Sequence, residues 1–190
     1  MQKILSRFQN IAWSAGALLF ALMLTGCSPE ADMKKAVEVN RKGVQALSTG
    51  NYLPALGYFK KAHDLDPKRP NYANNIGVVY LKRKKYDDAK KYFLKATELD
   101  PNYARAYFNL GVANQELKDY QSAVVSYLAA ARRSPAPQVF YNLGVVYSRT
   151  GRKDLAIKSF EQFLKLAPPA FGASIKDARR KLAQLRGSAP

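Results

Sequence analysis

The chain has 190 residues, with 31 Lys and Arg against 14 Asp and Glu, a formal net charge of +17, one Cys and one His. A single cysteine forms no internal disulfide. One Cys with one His also falls short of the four nitrogen and sulfur ligands of a structural zinc site, so redox and zinc-module classes are excluded. At 47% hydrophobic and 12% aromatic residues the chain is too apolar for a disordered basic tail and rich enough for a folded core.

In chain order, residues 1–10 carry Lys3 and Arg7 and no acid, and Ile11 to Leu24 is an unbroken apolar and small stretch, IAWSAGALLFALML. A positive start ahead of about 7–15 apolar residues has the form of a secretory signal, and it is shorter than the roughly 20 that a spanning helix needs. Leu24-Thr25-Gly26-Cys27 follows, a small residue before the lone thiol, and it resembles the lipobox of bacterial lipoproteins. That resemblance implies removal of residues 1–26, a diacylglycerol on Cys27 and acylation of the new amine. Two or more acyl chains give stable anchoring where one is marginal, at about 0.8 kcal/mol per buried CH₂. It further implies a lipid-anchored protein of the cell envelope. Ser28 in place of Asp after the cysteine implies, by analogy with enterobacterial sorting, the outer membrane facing the periplasm. Residues 27–35 are then the acylated cysteine and a short tether. Within it Ser28 to Asp32, at no more than about 3.5 Å per residue, is expected to keep the body within about 20 Å of the lipid. The positive charge survives such processing, because the removed stretch takes only Lys3 and Arg7 from it.

The remainder is periodic. Gly43, Gly77, Gly111 and Gly144 stand 34, 34 and 33 residues apart, and behind each runs Ala-x3-aromatic-x2-(Ala or Phe)-x4-Pro. The four copies read Ala55, Phe59, Ala62, Pro67; Ala89, Phe93, Ala96, Pro101; Ala123, Tyr127, Ala130, Pro135; and Ala156, Phe160, Phe163, Pro168. Apolar residues recur at helical spacing in each half, as in Ala89, Tyr92, Phe93, Ala96 and Leu99. The small residues are expected where two backbones pass close, with the aromatics filling the gap between neighbouring copies. Thr49-Gly50-Asn51 and Thr150-Gly151 supply a left-handed residue to close a helix, and the prolines cannot continue one.

This pattern resembles the tetratricopeptide repeat. The resemblance implies an all-α fold, a right-handed superhelix of four helix-turn-helix units at 36–69, 70–103, 104–136 and 137–170. Residues 171–190 are then a capping helix and tail, with Ile175, Ala178, Leu182 and Leu185 on one face. The first copy departs from the pattern at Lys42, where the others have Ile76, Leu110 and Leu143. The third is one residue short and has Asn114 where Tyr80 and Tyr147 stand.

No phosphate loop, metal set or catalytic triad is found, and no cofactor is expected. The sole His63 lies in Lys60-Lys61-Ala62-His63-Asp64 and is expected on the solvated surface. The carboxylates Asp87, Asp88, Glu98 and Asp100 sit beside lysines at helix ends, where dipole and ion-pair roles account for them. The reading is of a protein that binds and does not catalyse.

In the family, partners lie on the concave face lined by the first helix of each repeat. An Asn just before the Leu-Gly pair often bonds the backbone of an extended peptide there. The matching positions are Asn75, Asn109 and Asn142, flanked by Asn40, Asn74, Phe108 and Tyr141 and then by Val44, Val78, Val112 and Val145. A carboxamide offers both donor and acceptor, which suits main-chain recognition. The clamp by which chaperone-binding members hold a C-terminal carboxylate is matched only in part, by Asn40, Asn75, Arg105 and Asn109, which argues against a chaperone tail as partner. The expected partner is an envelope protein or peptide segment in the groove, with the membrane held through Cys27. The roles implied are assembly or localisation of a pilus, secretin or cell-wall complex. The basic runs, such as Lys82-Arg83-Lys84-Lys85, lack the stacking aromatics of a nucleic-acid surface, so no nucleic acid is expected. They leave anionic lipid or peptidoglycan polyanions as an alternative ligand.

Overall fold

The computed structural model describes residues 28–187, so the expected signal segment and Cys27 lie outside the described residues. Four helix pairs follow one another: α1 (Pro29–Ser48) with α2 (Tyr52–Leu65), α3 (Pro70–Lys82) with α4 (Tyr86–Leu99), α5 (Ala104–Glu116) with α6 (Tyr120–Arg133), and α7 (Pro137–Arg149) with α8 (Lys153–Leu166). A 3-10 turn, Pro169–Phe171, leads into α9 (Gly172–Arg186). Each helix packs on the one before and the one after it, and the first helices α3 and α5 also touch directly. The first helices therefore form the inner, concave wall and the second helices the outer one.

Each pair is closed by the same turn. The amides of Asn51, Lys85, Asp119 and Arg152 donate to the carbonyls of Ala46, Tyr80, Asn114 and Tyr147, each at 2.9 Å. This six-to-one bond needs a left-handed residue. Gly50 and Gly151 fill that place with φ of 77° and 71°, whereas the second and third turns use Lys84 at 58° and Lys118 at 63°.

The repeating glycines have a tighter role than backbone approach. A Cβ on Gly43, Gly77, Gly111 or Gly144 would stand 2.5–2.7 Å from ring carbons of Phe59, Phe93, Tyr127 or Phe160, the aromatic of the same repeat. All four rings are fully buried. Phe59 then carries the contact onward to Ile76 and Val79 of the second repeat. The close partner of the glycine is thus a ring within the repeat.

Two further expectations are corrected. Ser28 to Asp32 is not an extended tether. Ser28 caps α1 by accepting from the Ala31 amide at 3.1 Å, Pro29 starts the helix, and Glu30 and Asp32 complement its positive end. His63 is not on the surface: it is 7% exposed, and both ring nitrogens lack a hydrogen-bond partner among the described residues. The exposed first edge is polar as expected, with Lys42 beside Glu38 at 3.7 Å.

At the far end α9 occupies the place of a fifth first helix, burying Ala178 and Leu182 against the last pair. Phe163 makes an edge contact with Phe171 of the 3-10 turn that leads into it, centroids 6.2 Å apart.

The concave groove as candidate functional site

The first helices present their residues in register, so that the same position recurs one rung away along the wall. Asn75 Nδ2 donates to Asn40 Oδ1 at 2.9 Å, and Asn109 Nδ2 donates to Asn74 Oδ1 at 2.8 Å. These carboxamides tie α1 to α3 and α3 to α5. Asn74 is 1% exposed, so it belongs to the wall and offers no free side chain to the groove. Asn40, Asn75 and Asn109 are half-buried and keep the rest of their hydrogen-bonding capacity.

The ladder breaks at the next rung. The residue opposite Asn142 is Phe108, whose side chain has no amide to offer, and Asn142 remains half-buried without a bonded partner among the described residues. Phe108 instead leans on Tyr127, with centroids 5.8 Å apart. One rung further the bond resumes in another form, the Tyr141 hydroxyl donating to Asp177 of α9 at 2.8 Å. Burial, and then this hydrogen bond, push the Tyr141 hydroxyl up to about 12. Burial opposes the charge of Asp177, but bonds from Tyr141 and Arg180, with Lys181 nearby, outweigh it and hold that carboxyl below its usual range. Tyr141 is therefore engaged by the cap.

Beside the break lies a cleft of about 430 Å³, lined by Arg105, Phe108 and Asn109 of α5, Gln138 and Val139 of α7, and Ala130 of α6 among others. The structure thus brings Arg105, Phe108 and Asn109 together, while Asn40, Asn74 and Asn75 form the preceding rungs. Arg105 is exposed and, among the described residues, forms no ion pair. The apolar floor comes from Val78, Val112 and Val145, half-buried, with Val44 48% exposed at the open end. Gln138 and Val139 escaped the sequence reading. Gln138 sits one repeat after Arg105, and that register was the available signal. Cys27 lies outside the described residues.

Family models described as tetratricopeptide repeat match residues 40–104 and 74–136, and a further one matches 137–169. The chain belongs to the tetratricopeptide repeat family. Its helix pairs, with α9 as the end helix, are the solenoid of that family. No curated protein matches the chain. Among solved structures, a crystal structure of MamA protein is similar at 26% identity, with TM-score 0.67, covering 80% of this chain and 83% of that one. A MamA fragment, 41 to the end, from Desulfovibrio magneticus RS-1 shares the fold at 20% identity and TM-score 0.66, covering 81% and 94%. The first tetratricopeptide domain of Spaghetti (RPAP3), bound to the HSP90 peptide SRMEEVD, is similar at 27% identity and TM-score 0.53, covering 54% and 82%.

Proposed function

We propose that this protein is a lipid-anchored scaffold that docks a segment of an envelope protein in its concave groove. In this reading Cys27 carries the anchor in the outer membrane, the body faces the periplasm, and the docked partner belongs to a pilus, secretin or cell-wall assembly. Its work is binding and positioning, without turnover. The observation that carries the reading is the break in the amide ladder. Asn142 keeps a full carboxamide free beside a cleft that combines Arg105, Asn109 and Gln138 with apolar Phe108 and Val139. Such a mixture can bond a peptide main chain and seat a side chain at once. The similar RPAP3 domain, bound to a peptide, supports a peptide as the kind of partner.

Crosslinking in intact envelopes tests it. The captured protein should remain bound at high salt and be lost from Asn109→Ala/Asn142→Ala, while Cys27→Ser should move the scaffold to the soluble fraction. Capture indifferent to the groove variant ends the docking reading, and membrane association indifferent to Cys27→Ser ends the anchoring one.

A second reading rests on the turns between the helices of each pair. Lys82, Lys84, Lys85, Lys118, Arg149 and Arg152 are exposed there, and two of them hold a left-handed backbone that a glycine would adopt more easily. On this reading the edge binds anionic lipid or peptidoglycan. Such binding would fade steeply between low and high salt and ignore the asparagine changes.

A further inference from the structure

The outer wall carries a recess that groove docking does not use. In the second repeat Tyr80 stacks on Tyr92, centroids 5.5 Å apart and planes inclined by 22°. One repeat later the same two positions are Asn114 and Ser126, so two rings have become two small polar groups. What they leave between α4 and α6 is a recess of about 390 Å³, floored by Leu110, Asn114 and Ser126 and rimmed by Lys90, Leu94 and Val125. Leu94 is 40% and Val125 64% exposed, which gives the recess an apolar rim open to solvent.

The floor is unsatisfied. Asn114 is 2% exposed, and its Nδ2 lies 3.3 Å from Ser126 Oγ, whose own hydroxyl donates to the Ser122 carbonyl at 2.8 Å. Asn114 Oδ1 is buried with no donor among the described residues. A buried acceptor left in this state is unfavourable, and a ligand donor would satisfy it. A second recess of about 360 Å³ shares Gln121 and Val125 and leads on to Arg152. The charged residues lining the two are Lys90 and Arg152, both cationic. Lys90 is only loosely met by Asp119 at 3.8 Å, whose carboxylate already accepts from the Ser122 amide.

We propose that this recess is a second binding site, on the face opposite the groove, for a tyrosine carried on an acidic segment of a partner protein. The ring lies between Leu94 and Val125 and restores the aromatic contact that the third repeat lacks. Its hydroxyl donates to Asn114 Oδ1, and flanking carboxylates meet Lys90 and Arg152. The site stands independently of the groove and of the anchor.

The test uses the full chain in dodecyl maltoside micelles, with ¹³C-methyl labels on Leu and Val, titrated with three short blocked peptides. Ac-Glu-Tyr-Glu-NH₂ should shift the Leu94 and Val125 methyls saturably. Ac-Glu-Phe-Glu-NH₂, the same ring without the donor, should bind about tenfold more weakly, the value of one hydrogen bond. Ac-Lys-Tyr-Lys-NH₂ should bind more weakly than the acidic peptide at low salt. Asn114→Tyr/Ser126→Tyr rebuilds the stacked pair of the second repeat and should abolish the shifts. If circular dichroism shows that variant unfolded, Val125→Glu at the solvent-facing rim decides in its place and should weaken binding at least tenfold. No saturable shift, equal binding of the tyrosine and phenylalanine peptides, equal binding of the acidic and basic peptides, or unchanged binding by a folded variant would each overturn the proposal.

Discussion

Lys84 and Lys118 hold φ near +60°, a conformation that costs a side-chain-bearing residue about 1–2 kcal/mol, while Gly50 and Gly151 fill the equivalent place in the outer repeats. Lys84→Gly and Lys118→Gly should therefore each stabilise the fold. The gain is about 0.5–1 kcal/mol after the extra chain entropy of glycine is set against the relieved strain, read as a rise in urea midpoint. His63 is the second residue whose environment predicts a measurable effect. Burial, and then the Lys95 charge, lower its affinity for a proton, and Asp64 and Asp66 only partly offset them. The unfolded chain protonates this histidine near its ordinary value of about 6.5, before the folded one does. Its contribution to stability is accordingly complete above that pH and declines as the pH falls below it. Urea midpoints should drop between pH 7.5 and 5.5, and His63→Leu, which installs the residue that the fourth repeat has as Leu164, should flatten that slope.

Among the elements, the helix pair is held by one glycine and one ring. Gly77→Ala places a methyl 2.6 Å from Phe93, a ring sealed on all sides, so the pair must separate or the ring must leave its rotamer. Overpacking of this kind costs about 1–3 kcal/mol, and chemical denaturation should show it. The same substitution at Gly57, where nothing lies within 4 Å, should not destabilise, since it only exchanges glycine for a better helix former. The first helix shows how local signals override a functional guess. Ser28, Pro29, Glu30 and Asp32 form a helix start by cap, fixed φ and charge, so the chain turns helical where a linker was expected.

The whole molecule is a one-dimensional stack in which each pair contacts its neighbours, so damage at one end should stay there. Leu182→Ala removes the cap's buried leucine and should cost about 2–5 kcal/mol at the last pair. Hydrogen exchange should then quicken in α7 and α8 well before α1 and α2. The cap also reaches the concave wall through Tyr141 and Asp177, so loosening it frees a groove hydroxyl that the intact protein withholds.

Sequence alone determined the repeat and its helices, because a period of 34 residues, small residues at fixed places and turn-forming Gly and Pro act through short-range sterics. It also placed the polar first edge and the capping helix, both dictated by which face must meet water. Only the tertiary structure decided the state of the individual side chains. Asn75 and Asn109 look alike with Asn142 in the sequence, yet the first two find an amide one rung away and Asn142 meets Phe108. His63 reads as surface from its charged neighbours and is buried because α2 turns that face inward. The substitution of Asn114 for a tyrosine is visible in the chain. That it leaves a recess with an unpaired acceptor depends on Ser126 replacing the second ring across the helix pair, a coincidence in space that no local pattern encodes.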